Sequence, residues 1–524
     1  MARRGESGPN AAGIGDRYAR YVLAVLVLVY VFNFLDRQIP AILAERIKAD
    51  LGVSDAQLGY LYGTDFAVFY ALFGIPLGRL ADVWDRRRLI ACGLAFWSLM
   101  TALSGLARSF TQLAFARVGV GVGEASATPA AYSLLSDYFP PHRRATVLAL
   151  YSGGIYLGSG LGIFLGGLIV DRWDAAFAGS TAPLGLEGWQ AAFFALGLPG
   201  LLLAVWAASL REPRRGQSDG ILSAPEARPW RAFFAEQRSV VPPFTLLNLW
   251  WLGASRFTLA VNVGSGALLA LTAALLTRAL GTPAQWWSLA LGLYAAVAWA
   301  QSVGLRDRPS AALIFRTPSL RNACLGFAFL SFSGYGLGFW IPSFFVRFHG
   351  MPLERAGFLV GGAAAVGGWL GVTLGGLLAD RWLSTSSLGR VWVGLLNAVL
   401  PVPLALAMLW TGDARLAFAF SVPLYASSAL WLGPGASTVQ DLVLPRMRAL
   451  ASAAYLLVIT LVGLALGPYT MGQLSVATGD LRLAMSLGLL SNVVAVVFFV
   501  LATRTLERDE ASRLDRARAA GERF

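Results

Sequence analysis

The chain has 524 residues and a formal net charge of +13; 56% of it is hydrophobic and only 14% charged. A soluble domain is roughly 45–50% apolar, so this composition excludes an ordinary globular enzyme, and the long unbroken apolar runs exclude a strand-built barrel, whose segments are short and alternating. A polytopic helical membrane protein remains, and the basic balance (one lysine, Lys48, in a total of 42 Lys and Arg) belongs to topology, because the arginines sit in short runs between apolar stretches.

In chain order, the apolar pattern predicts fourteen spans, near 19–45, 56–80, 88–107, 111–137, 145–170, 188–210, 245–276, 285–304, 323–346, 356–379, 391–411, 416–442, 450–477 and 481–503. Most of the arginines fall on one side if the N-terminus is cytoplasmic, which with an even number of spans puts both termini there. Residues 1–18 read as a cytoplasmic tail without a cleavable leader, 19–210 as one bundle, 211–308 as a linker with two inserted spans, 309–503 as a second bundle and 504–524 as a second tail. Within the linker, "RPWRAFFAEQR" at 228–238 reads either as an amphipathic helix on the inner surface or as a disordered stretch. Cys92 and Cys324 both lie in apolar runs, so neither a disulfide framework nor a cysteine metal site is expected. His142 and His349 fall in predicted loops and are not expected to act as ligands or proton relays.

The two halves repeat. "GYLYG" at 59–63 returns as "GFLVG" at 357–361, and "GRLAD" at 78–82 as "GLLAD" at 376–380, both at an offset of 298. "DYFPPHRRA" at 137–145 returns as "DLVLPRMRA" at 441–449, at an offset of 304. Three blocks at nearly one offset indicate duplicated six-helix halves, as in transporters built from parallel repeats.

"GRLADVWDRRRLI" at 78–90 resembles the loop between helices 2 and 3 of the major facilitator superfamily, with Asp85 where that family usually has Gly. "NFLDRQ" in helix 1, "RVGVGVGEASATPAAYSLLSDYFPPHRRATVLALY" at 117–151 and "FWIPSFF" at 339–345 are similar to its Spinster branch. The resemblance implies an all-α fold of two pseudo-symmetric six-helix bundles, here with two extra helices between them, in a bacterial inner membrane. It also implies a proton-coupled or facilitative exporter, with lysophospholipids and sphingoid lipids among the animal substrates. Helix 5 reads "GIFLGG" at 162–167, with Ile163 in place of the proline of the antiporter signature, whereas helix 11 keeps Pro468 in "GPYTMG".

Away from the span ends, Asp36, Asp65 and Glu124 are the acids of the predicted spans, all in the first half. "VFNFLDRQIPAILAE" at 31–45 shows the difficulty: Asp36 and Arg37 end an apolar run of about 15 residues, short of the ~20 a span needs. Carrying helix 1 on to Glu45 places both charges in the membrane, where ionised groups line polar cavities or pair. At about 1.5 Å per residue, Asp36 and Arg117 fall at nearly one level, and Glu124 lies two turns from Arg117 on the same face. Desolvation raises a carboxyl pKa and a nearby arginine lowers it, so Asp36 and Glu124 with Arg117 are the expected proton-coupling set. Asp65 and Arg37 are further intramembrane charges, and Arg37 is expected to snorkel outward. The competing reading is a static buried ion pair that fixes helix packing.

The resemblance further implies a cytoplasmic gate of Gly78, Asp82, Arg86, Arg87, Arg144, Asp380 and Arg448, joined by Arg143 and Arg446. Asp82 and Asp380 would each meet the N-terminus of a helix in the opposite half, near Ala449 and Ala145. Tyr60, Tyr62, Tyr151, Tyr335, Phe339, Trp340 and Trp431 are candidate cavity contacts, or else packing and lipid-facing aromatics. Together these predict a monomeric, proton-coupled alternating-access transporter of an amphipathic, lysolipid-like solute, with lipids as surroundings, no nucleic-acid partner, and no cofactor or metal beyond the proton. A carrier of small polar metabolites or drugs is the alternative, and a non-transporting sensor a more distant one.

Overall fold

The computed structural model describes residues 16–219 and 228–522, so most of the expected N-terminal tail and the side chain of His142 lie outside the described residues. Helices account for the fold. The first half holds α1 (Asp16–Leu51), α2 (Asp55–Tyr62), α3 (Thr64–Val83), α4 (Arg86–Ser104), α5 (Phe110–Glu124), α6 (Ala127–Tyr138), α7 (Pro141–Ala176) and α8 (Gly188–Ala208). The insertion holds α9 (Pro229–Val240), α10 (Phe244–Trp251), α11 (Arg256–Leu280), α12 (Pro283–Arg306) and α13 (Arg308–Phe315). The second half runs through α14 (Pro318–His349), α15 (Leu353–Leu383), α16 (Gly389–Val399), α17 (Pro401–Trp410), α18 (Ala414–Ala429), α19 (Leu432–Asp441), α20 (Arg448–Val458), a π-helical stretch (Ile459–Leu464), α21 (Gly467–Thr478), α22 (Leu481–Gly488) and α23 (Leu490–Thr503), followed by α24 (Leu506–Ala511) and α25 (Arg513–Ala519).

Local chemistry sets the breaks. Ser54 starts α2 with a reciprocal cap: its hydroxyl accepts from Gln57 N–H, and the Gln57 side chain accepts from Ser54 N–H. Asp85 starts α4 by accepting from Arg88 N–H at 3.0 Å, which gives the aspartate found in place of glycine a structural use. The hairpin between α11 and α12 turns through Gly281 and Thr282, both in left-handed backbone conformations.

Twelve helical stretches among the described residues are long and apolar enough to cross a membrane, the two inserted ones included. The expected spans at 88–107 and 111–137 are helical but fall outside that set: α4 opens on Arg86–Arg88, and a turn at Ala125–Ser126 splits α5 from α6. The 228–238 segment is a helix, not a disordered stretch. Residues 504–522 pack against the second half: Asp509 accepts the Ser319 N–H that opens α14, and Arg446 ties Glu522 to Asp307.

The two bundles touch through glycines that admit backbone-to-backbone approach. A Cβ on Gly361 of α15 would lie 2.4 Å from the carbonyl oxygen of Gly160 on α7. One on Gly59 of α2 would lie 2.4 Å from that of Pro468 on α21. These contacts belong to the end of the bundles remote from both chain termini, here the distal end. In the other halves of α7 and α15, Gly153 and Gly376 have nothing within 4 Å of a would-be Cβ, so no such approach is made at those two positions.

Candidate functional site: a buried charge cluster beside a central cavity

Helix α1 continues unbroken through Asp36 and Arg37, and both are buried, Asp36 at 0% and Arg37 at 7% exposure. The reason lies across the bundle. Arg37 reaches Glu124 on α5 with Nη2 at 2.9 Å and Nε at 3.2 Å from Oε2. Its guanidinium stands 4.7, 4.4 and 5.1 Å from the ring centres of Phe34, Phe66 and Tyr70, an aromatic box suited to a planar cation. The expected outward snorkelling of Arg37 is therefore corrected. Arg37, rather than Arg117, makes the ion pair with Glu124.

Arg117 has a different attachment. Pro40 lies inside α1 and has no N–H, so the carbonyl of Asp36, four residues earlier, loses its helical donor. Arg117 Nη1 supplies it at 3.1 Å. Its Nε and Nη2, and both carboxylate oxygens of Asp36, have no hydrogen-bond partner among the described residues. Trp97 Nε1 and Thr101 Oγ1 face that carboxylate as donors. Asp65 on α3 is equally buried; Tyr60 donates to its Oδ1 at 3.0 Å and its Oδ2 is free of partners. This cluster thus holds three carboxyl groups and two guanidinium groups, one acid more than its cations can match.

A cavity of about 180 Å3 lies beside this cluster, between the bundles. Tyr62, Tyr335 and Trp431 line it, together with Gln38, Tyr156, Tyr425 and the hydroxyls of Ser159, Ser331 and Ser428. No charged side chain is among its lining residues. Tyr62 donates to Gln38 Oε1 at 3.1 Å. The other candidates stand back: Phe339 stacks behind Tyr62 at 4.5 Å, and Tyr151 stacks on Tyr30 at 4.3 Å. Trp340 donates to Pro468 O at 2.9 Å, and Tyr60 is committed to Asp65. Gln38 was not among the expected contacts; it lies one turn from Phe34 on α1, a spacing that shares a helix face, and both line the cavity.

The distal end is sealed by charges that the sequence reading passed over. Arg347 on α14 grips Asp55 on α2 with both terminal nitrogens at 2.7 Å and Glu45 on α1 at 2.8 Å. Lys48 and Ser475 complete the ring around Asp55 at 2.6 and 2.7 Å. Beside it, Asp171 on α7 accepts the Glu354 N–H that opens α15, at 2.7 Å.

At the termini end the expected cross-bundle gate is not assembled. Asp82 does not meet a helix start near Ala449; its side chain is 63% exposed, with Arg79 at 3.9 Å. Arg86 bonds instead to Asp137, to Glu212 at 2.7 Å and to Ser133 O at 3.0 Å, all within its own half. Arg87 holds Leu210 O at 2.6 Å and Arg144 holds Ser136 O at 3.0 Å. The second half repeats the motif at an offset of 304: Arg390 pairs with Asp441 as Arg86 pairs with Asp137. Asp380 lies in the field of Arg390, and Arg448 lines a surface pocket with Arg513 and Glu522. Gly78 has only Pro129 nearby, at 3.9 Å from a would-be Cβ, so no close approach requires it here.

Comparison with known proteins agrees with this architecture. The sequence pattern described as Major Facilitator Superfamily matches residues 26–306. An MFS-type efflux pump of Mycolicibacterium smegmatis is 29% identical over 474 residues, 90% of this chain and 88% of that protein. Human protein spinster homolog 1 is 30% identical over 242 residues, 45% of this chain and 43% of that protein. Among solved structures, a bacterial homologue of the human lysosomal transporter Spinster, in an inward-facing and occupied conformation, is similar with a TM-score of 0.70 and 26% identity, covering 94% of this chain and 99% of that one.

Proposed function

This chain belongs to the major facilitator superfamily of membrane transporters, and from that premise we propose that it is a proton-coupled exporter of an amphipathic, lysolipid-like solute, working by alternating access. The observation that carries the proposal is the odd charge count beside the cavity: Asp36, Asp65 and Glu124 against Arg37 and Arg117. An uncompensated charge inside a membrane costs several kcal/mol, so the cluster is stable with one proton bound, and Asp36, whose carboxylate oxygens accept no bond from either arginine, is its place. Arg117 is anchored to the Asp36 main chain and keeps two donors unspent, ready to take the carboxylate once the proton leaves. Glu124 with Arg37 forms the fixed counterpart.

In this reading the termini end faces the cytoplasm of a bacterial inner membrane, and the protein works as a monomer that opens inward at that end. Asp82 and Asp380 engage opposing helix starts when that end closes. The cavity lining favours an amphipathic solute over a sugar acid, since aromatic rings and hydroxyls surround it without a cation to hold a carboxylate. The test is spectroscopic distance measurement between the bundles at two pH values in reconstituted protein. Asp36→Asn and Glu124→Gln should each flatten the pH response. If both variants shift with pH as the parent does, the cluster is structural and the proposal fails.

A further inference from the structure

Helix α9 crosses the termini end of the insertion, and its two ends are fixed. Trp230 packs on Trp84, just past the end of α3, with ring centres 5.4 Å apart. Glu236 receives Arg306, the last residue of α12, at 3.0 Å. Ser239 and Val240 are buried, Val240 in the apolar cluster that contains Leu72 and Trp299. Twelve residues span about 18 Å, so α9 is a strut laid at the level where α3 and α12 end, which is headgroup depth.

Its outer face has a distinct composition. Trp230 and Phe234, four residues apart, are 49% and 54% exposed, and Arg228, Arg231 and Arg238 are exposed around them. The single acid on the helix, Glu236, is taken up by Arg306. Arg238 also stands 5.2 Å over the ring of Trp251, whose neighbours Phe244, Leu247 and Trp250 on α10 are exposed apolar groups. Aromatics at this depth insert among acyl chains while arginines reach phosphates.

We propose that the exposed face of α9, with Arg228, Arg231 and Arg238 around Trp230 and Phe234, is a binding surface for anionic phospholipid headgroups of the membrane leaflet at the termini end. The charge complementarity selects anionic over zwitterionic lipid, and the aromatic pair selects a lipid over a soluble anion. This inference rests on the depth and outer face of α9 and stands or falls apart from the transport reading.

The test uses the full chain in mild detergent, with melting temperature followed on adding phosphatidylglycerol or phosphatidylcholine at equal mole fraction. Phosphatidylglycerol should raise the midpoint by about 3 °C more than phosphatidylcholine, as a ligand of the folded state does. The triple variant Arg228→Gln, Arg231→Gln, Arg238→Gln should lose at least half of that difference. Lysine at the same three positions should keep most of it. Removing three exposed arginines elsewhere at the same end (Arg381→Gln, Arg504→Gln, Arg508→Gln) should leave it nearly intact. Equal losses in the two glutamine variants, no loss in the first, or no difference between lipids in the parent would each overturn the proposal. So would an equal shift with glycerol phosphate, which would assign the face to a soluble anion. Should the triple variant not fold, Arg231→Gln alone and Trp230→Ala are read against the lysine variant, with the same two outcomes.

Discussion

Asp55→Asn is the sharpest perturbation of the distal seal. Asp55 is 4% exposed in its side chain and receives two bonds from Arg347, one from Lys48 and one from Ser475. It therefore joins α1 and α2 of the first half to α14 and α21 of the second. An amide keeps one acceptor and loses the charge. Hydrogen bonds to charged groups contribute about 1.5–3 kcal/mol each, but Arg347 keeps Glu45 and is one-fifth exposed, so water recovers part of the loss. A net cost of about 2 kcal/mol is reasonable, borne only by the state in which the distal end is closed. At 1.4 kcal/mol per tenfold, that is a shift of about 30-fold. A distal-closed preference of about 99:1 would fall to about 3:1, leaving roughly a quarter of the molecules open at that end.

The assay is pulsed electron–electron distance measurement between labels at Ser180 and Gly412, exposed distal-loop positions in the first and second halves, with Cys92 and Cys324 replaced. Asp55→Asn should bring up a longer-distance population. Arg347→Gln should act in the same direction, and the double variant should show much less than the sum of the two, since both remove one contact. A distance distribution indistinguishable from the parent in either single variant would show that glycine-mediated packing alone seals this end.

Two further outcomes are expected. Arg37→Lys should lower the melting temperature by several degrees and weaken the pH response, because an ammonium cannot give two N–H groups to Glu124 while lying flat among Phe34, Phe66 and Tyr70; a melting temperature equal to the parent's would show that charge alone matters. At the termini end, Arg446 beside Asp307 holds that carboxyl down at about 2, below its usual 3.8. Its folded value is the lower one, so its contribution is complete above the unfolded value and lost as pH falls through about 2. Hydrogen exchange in 506–522 should therefore be flat in intrinsic-rate-corrected protection between pH 8 and 5, and Arg446→Gln should raise exchange there at every pH; a protection step near pH 6 would contradict this.

The bundle plan was legible because apolar runs and a near-constant repeat offset are properties of the chain itself. The same offset of 304 that links Asp137 to Asp441 also links Arg86 to Arg390, and the structure joins each arginine to its aspartate. That pairing was readable from the repeat, in which Asp82 and Asp380 also correspond. The partner choice of Arg37 was not readable. Neighbours on a helix point about 100° apart, so position alone cannot say whether residue 36 or 37 faces α5. The link from Arg117 to the Asp36 carbonyl did have a signal, Pro40 four residues later. The distal seal had none, since Glu45, Lys48, Asp55 and Arg347 stand at span ends, where charges are ordinary.

Both charge systems meet on one helix. Asp36 and Arg37 belong to the buried cluster and Glu45 and Lys48 to the distal seal, all on α1, with about 14 Å of helix between Asp36 and Glu45. Pro40 sits between them and leaves the Asp36 carbonyl without its helical donor, so the stiffness of α1 at that point depends on Arg117. If Arg117 turns from the carbonyl to a newly ionised Asp36 carboxylate, the helix loses its brace beside the proline, and the segment carrying Glu45 and Lys48 is free to tilt away from Arg347. Proton release at the cavity would then loosen the seal through one helix, with no contact between the two charge systems. Replacing Pro40 by alanine restores the missing N–H and should uncouple the two: the distal distances of that variant should cease to follow pH while Asp36 still titrates.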